Sequence, residues 1–217
     1  MSCERWRSTR LHDKDADVTR AERRKLRFRR VSAASRAGLP ALTILLAKAY
    51  LAHYPDDGFV WSVLGINLQQ TFLYDEAVEA ISRAIVYCPE AQRHLVMAQM
   101  GHVFDDRGDY PQAEVWYRQV IEAKATRASG YIYLGSALVS QGRLDEAETA
   151  FRDATRCTGG CIDEAYANLG WVLRAQGRFA EAADCLTHAL NLDPKDRAVR
   201  KALRDVTLAL KTQNRIL

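Results

Sequence analysis

The chain has 217 residues, 48% of them apolar, with only 5 prolines and 12 glycines. This is enough to build one sizeable core or one elongated array, and it argues against a loop-rich β protein. The net charge of +4 divides unevenly: residues 1–36 carry 12 Lys+Arg and 5 Asp+Glu, a balance of +7, which leaves the remainder at −3.

The N-terminus is charged and has no apolar core of the kind a secretory leader needs. No stretch approaches 18 uncharged apolar residues, so no transmembrane helix is expected. Five cysteines (Cys3, Cys88, Cys157, Cys161, Cys185) have no framework spacing. Together these features give an expectation of reduced thiols and a cytoplasmic protein.

In chain order, residues 1–36 are expected as a basic, disordered tail. Charge is dense and aromatic residues are sparse (Trp6, Phe28), so little apolar surface offsets the ordering entropy. Six Lys+Arg fall in residues 21–30. Arg23, Arg24, Lys25, Arg27, Arg29 and Arg30 are therefore candidate contacts to a polyanion. The run is also compatible with a short basic helix over 24–37.

Pro40 suits a helix first turn. Leu42, Leu45, Leu46, Ala49 and Tyr50 then recur at helical spacing up to Pro55. From residue 58 one phrase occurs four times: Trp61-x-x-Leu64-Gly65, Met97-x-x-Met100-Gly101, Tyr131-x-x-Leu134-Gly135 and Tyr166-x-x-Leu169-Gly170. Twelve residues after each glycine stands Ala77, Ala113, Ala147 or Ala182, and four further on Ile81, Tyr117, Phe151 or Leu186. Two markers that keep one period of 34–36 residues are the signature of stacked helix pairs.

Each unit reads as helix–turn–helix. Gly108, Gly142 and Gly177 sit in three of the turns, and Phe72 replaces glycine in the first. Residues 197–213, with Val199, Ala202, Leu203, Val206 and Leu210 along one side, read as a capping helix.

These residues resemble the tetratricopeptide repeat (TPR) family. Its pattern of aromatic-x2-Leu-Gly, Ala-x3-large, then Ala and Pro is met in the first unit by Trp61, Gly65, Ala77, Ile81, Ala84 and Pro89. The fourth unit meets it with Tyr166, Gly170, Ala182, Leu186, Ala189 and Pro194. The third has Gly159 in place of the proline. The second is weakest, with Val120 and Ala125 at the late positions.

The resemblance implies an all-α, right-handed α-solenoid of antiparallel helix pairs. Its domain would span 37–217: degenerate leading helices 37–57, repeats 58–91, 94–127, 128–161 and 163–196, and the cap. It further implies a concave groove lined by the first helices. Projected onto this chain, the groove residues are Phe59, Ser62, Ile66, Gln69, Leu95, Gln99, His102, Ile132, Tyr133, Ser136, Asn168, Trp171 and Arg174. The clamp by which some relatives grip acidic chaperone tails would need Lys, Asn and Asn where Ser62, Ile66 and Gln99 stand.

The function expected is a protein–protein scaffold or adaptor, a monomer or weak homo-oligomer, that binds a peptide or helix. The alternatives are a nucleic-acid-associated factor working through the basic tail, or a non-catalytic recruiting subunit of an enzyme complex. Cys157 and Cys161 lack the two further ligands zinc needs and read as part of an inter-repeat turn. The five histidines have no metal-ligand spacing, and no P-loop, GxSxG or GxGxxG is present. No catalytic residue, cofactor or metal is expected.

Overall fold

The computed structural model describes residues 19–216, and the side chains of residues 19–213. Cys3, Trp6, His12 and the first half of the expected tail lie outside the described residues. Eleven helices follow in order: α1 (Arg20–Arg36), α2 (Pro40–Leu51), α3 (Gly58–Gln70), α4 (Tyr74–Tyr87), α5 (Glu90–Asp106), α6 (Tyr110–Ala123), α7 (Ala128–Ser140), α8 (Leu144–Thr155), α9 (Ile162–Ala175), α10 (Phe179–Leu192) and α11 (Arg197–Ile216).

The architecture is an α-solenoid of helix pairs: α1/α2, α3/α4, α5/α6, α7/α8 and α9/α10, closed by α11. Each helix packs on its pair partner and on the following helix. The first helices also meet one another, α1 with α3, α3 with α5, α7 with α9 and α9 with α11.

Local chemistry sets the boundaries. Thr19 and Glu22 form a reciprocal capping box on α1. Pro40 opens α2. Asp57 caps α3 through the Val60 N–H at 3.2 Å, and Asp109 caps α6 through the Gln112 N–H at 3.3 Å. The turns within pairs pass through a left-handed residue: Gly108, Gly142 and Gly177 in three units, and Phe72, at φ 61°, in the first.

Close approach explains the repeated phrase. Each marker glycine faces the large residue of its own unit: Gly65 meets Ile81, Gly101 meets Tyr117, Gly135 meets Phe151 and Gly170 meets Leu186. A Cβ at Gly135 would stand 2.5 Å from the Phe151 ring. The marker alanines Ala77, Ala113, Ala147 and Ala182 are fully buried beside these contacts. The core forms two clusters, one running from Val31 to Val103 and one from Ala113 to Val206, and Phe104 packs against both.

Ion pairs repeat with the same period on the outside. Glu114 of α6 binds Arg118 at 2.7 Å and Arg143 of the next unit at 2.6 Å, and Arg143 also binds Glu146. One unit on, Glu148 binds Arg152 and Arg178, and Arg178 binds Glu181. Burial pushes the Glu114 and Glu148 carboxyls up, but hydrogen bonds from their two arginines outweigh it and hold both below the usual range.

The expectation of a disordered segment through residue 36 fails for residues 20–36, which are helix α1. Its charged face stays wet, while Val31 and Ala34 are buried against α2 and the Phe28 ring lies 6.2 Å from Tyr50. Arg24 completes the docking: its Nε donates to the Tyr50 hydroxyl at 3.0 Å and its Nη2 to Asp57 at 3.1 Å. The solenoid therefore begins one full helix pair before the first clear repeat.

Gly135→Val should overpack the α7–α8 contact and cost about 1–3 kcal/mol. The measurement is a lower denaturant midpoint at constant m-value. Phe72→Gly relieves a left-handed side chain that is 76% exposed. It should raise stability by about 1 kcal/mol in the same assay.

Candidate partner-binding groove

The first helices α3, α5, α7 and α9 present one residue set toward a common face, and adjacent helices are tied across it. The Ser62 hydroxyl donates to Gln99 Oε1 at 2.7 Å, and Gln69 Nε2 donates to Asp106 Oδ2 at 2.7 Å. The His102 ring lies edge-on to Tyr133 at 4.5 Å, and Arg174 pairs with Asp205 of α11 at 2.7 Å. Six of the expected groove residues thus spend polar groups or ring edges on their neighbours, and Asp205, not anticipated from the sequence, completes the last link.

The remaining candidates divide. Phe59 and Leu95 are exposed at 58% and 54%, and Phe59 also packs on Phe28 at 5.6 Å. Ile66 and Asn168 are half-buried, and Ser136 is exposed. Ile132, expected in the groove, is only 3% exposed and belongs to the core.

Trp171 is 39% exposed and lines a depression of about 340 Å³ between α7 and α9. Ser136, Val139, Asn168 and Val172 share its walls. Phe151, which also lines it, comes from α8 and carried no sequence signal for this role beyond its repeat position.

At the centre, His102 Nδ1 lies 2.9 Å from the Tyr117 hydroxyl. Burial lowers the His102 imidazole below its ordinary value, against a smaller opposing pull from Asp106. Burial, reinforced by the Asp105 charge, raises the Tyr117 phenol. Burial together with the charge of Asp106 raises the Asp105 carboxyl, whose buried Oδ1 has no hydrogen-bond partner.

The basic candidates sit on α1. Arg24 is committed to Tyr50 and Asp57, and its guanidinium lies 5.1 Å from the Tyr54 ring centroid. Arg23 and Arg27, with Arg20 and His53, line a depression of about 390 Å³, while Lys25, Arg29 and Arg30 are exposed.

Cys157 and Cys161 flank the turn between units three and four. Gly159 there bridges to Arg127, and the Ala128 N–H donates to the Gly159 carbonyl at 2.8 Å. Burial first, then nearby carboxylates, push both thiols up. Among the described residues no group of three or more His, Cys, Asp and Glu is arranged to hold a metal ion. No described helix is long and apolar enough to cross a membrane.

A family model of the tetratricopeptide repeat matches residues 126–195, the third and fourth units. Residues 126–195 are thus tetratricopeptide repeats, and the glycine–large pairs of the two preceding units continue the same register within one helical solenoid. Human tetratricopeptide repeat protein 7B is 32% identical over 106 residues, covering 49% of this chain and 12% of that protein. The chain therefore spans about an eighth of that relative's length.

Among solved structures, the C-terminal part of a TPR repeat-containing protein from Cytophaga hutchinsonii superposes with a TM-score of 0.71 at 16% identity, covering 86% of this chain and 72% of that one. The first TPR of Spaghetti (RPAP3) bound to an HSP90 peptide gives 0.52 at 22%, covering 55% and 94%. YrrB, described as a TPR protein with an unusual peptide-binding site, gives 0.59 at 16%, covering 80% and 88%. At these identities the likeness is one of fold.

The buried His102 generates a pH prediction. Folding holds the imidazole neutral, whereas the unfolded chain protonates it at about pH 6.5. Its contribution is therefore intact above that pH and declines as the pH falls below it. His102→Gln should flatten the loss of stability between about pH 6.5 and 5 in denaturant titrations. Equal slopes for variant and parent would contradict this.

Proposed function

We propose that the chain is a non-catalytic scaffold or adaptor that holds a peptide or helix of a partner protein along the inner face of its first helices. One observation carries the reading: Trp171, partly exposed over its depression, stands on a face several of whose polar groups are tied to neighbouring helices. A large aromatic anchor beside an apolar hollow, on a rigid surface, is the usual centre of an interface. Phe59, Leu95 and Val139 extend the apolar track toward the N-terminal end.

Two of the structural neighbours are described as peptide-binding, which supports the reading by analogy of fold. The partner expected here is not an acidic chaperone tail. The positions a carboxylate clamp would fill with cations and amides hold Ser62, Ile66 and Gln99, and two of these are bonded to each other.

Affinity capture with mass spectrometry, comparing parent and variants, tests the proposal. Trp171→Ala should weaken the principal captured partner by about 2 kcal/mol, roughly thirty-fold, with the helical signal unchanged. Removal of residues 1–18 should leave capture intact. Capture that survives Trp171→Ala and Phe59→Ala but disappears with residues 1–18 would overturn the groove reading.

A further inference from the structure

Away from the groove, on the side of the second helices, the solenoid carries two slots that are copies of one another. One lies between α2 and α4 over α3, with a volume of about 370 Å³. The other lies between α6 and α8 over α7, with about 410 Å³. A shift of 70 residues, two repeat units, maps one lining onto the other: Trp61 onto Tyr131, Leu64 onto Leu134, Leu68 onto Leu138 and Ala80 onto Ala150. The same shift carries Lys48 to Arg118 and Glu76 to Glu146 at the rims.

The unit between them shows what such a slot takes. One repeat after Ala80, and one before Ala150, the register puts Trp116. Its side chain is half-buried and packs against the N-terminal core cluster, which includes Ala80, Met100 and Val103. In that unit Met100 and Phe104 stand at the floor positions, and the indole packs against the cluster that contains Met100. Where the second helix carries alanine, no such ring is present and a slot remains, its floor of Leu64 and Leu68 or Leu134 and Leu138 only 1–6% exposed.

The rims add a charge preference. Lys48 is already paired with Glu76 at 2.7 Å, Arg118 with Glu114 and Glu146 with Arg143. Among the described residues, Glu79 at the first slot and Glu122 at the second line the opening without an ion pair. Each slot therefore has an apolar floor and one unpaired carboxylate at its edge, at different register positions: the 70-residue shift matches Glu79 to Thr149 and Glu122 to Ala52.

We propose that the two slots are docking sites for the aromatic side chains, indole above all, of a partner segment in which the aromatic residue is flanked by a basic one. The chain's own Trp116 is the internal model for the ring. Glu79 and Glu122 select the flanking cation. The site is independent of the inner groove and can be occupied together with it.

The test is a titration of the intact, isotope-labelled protein with the blocked tripeptide Arg-Trp-Arg, read by amide shifts and calorimetry. Saturable shifts should appear at Leu64, Leu68 and Ala80 and at Leu134, Leu138 and Ala150, and none with Arg-Ala-Arg. Ala150→Trp closes the second slot and should abolish its response while sparing the first. Glu79→Lys and Glu122→Lys, on the surface and harmless to folding, should each weaken their own slot roughly two- to five-fold.

No saturable shift at either slot, or shifts confined to the inner face, would overturn the proposal. So would a second-slot response unaffected by both Ala150→Trp and Glu122→Lys. If Ala150→Trp fails to fold, the Glu122→Lys result decides alone.

Discussion

Everything in this molecule rests on how closely two helices of one pair can approach. At Gly65, Gly101, Gly135 and Gly170 the first helix has no side chain, and a large residue of the second helix occupies the space. That contact fixes the angle of each pair. The pairs then stack because none can bury its second face alone. A glycine therefore sets the pitch of the array, and the pitch sets which residues of the first helices share a face.

From that geometry the two surfaces acquire different characters. The inner face is stitched from helix to helix through Ser62–Gln99, Gln69–Asp106, His102–Tyr133 and Arg174–Asp205. These links spend much of its polar chemistry, so the groups left to a partner are mainly apolar: Phe59, Leu95, Val139 and Trp171. The outer side is stitched by charge through Glu114 and Glu148, each buried enough to need its two arginines. On the same side lie the two slots, at the units where alanine, not tryptophan, occupies the position of Trp116.

The solenoid was legible in the sequence because its cause is local and periodic. The glycine and alanine markers are contacts within a unit, repeated at a spacing the eye can follow. The docking of α1 was only half legible. The run is compatible with a helix over 24–37 leading the array, but its composition reads equally as a solvated tail, and the bonds that hold it, Arg24 to Tyr50 and to Asp57, join residues 26 and 33 positions apart.

The groove shows the same division. Its positions follow from the repeat, and Phe59, Leu95 and Trp171 among them are exposed. Which of them remain available depends on contacts one repeat away, such as Ser62 to Gln99 across 37 positions, and no periodicity reports those. Ile132 is the clearest case, a groove position by register that packing has drawn into the core.

The most direct measurement places a photo-reactive phenylalanine analogue at residue 171 on the inner face and, as control, at residue 86, where Val86 of α4 is 71% exposed. If the inner face holds the partner, residue 171 cross-links to one defined segment of it and residue 86 does not. Cross-linking of that partner from residue 86 with none from residue 171 would contradict the account.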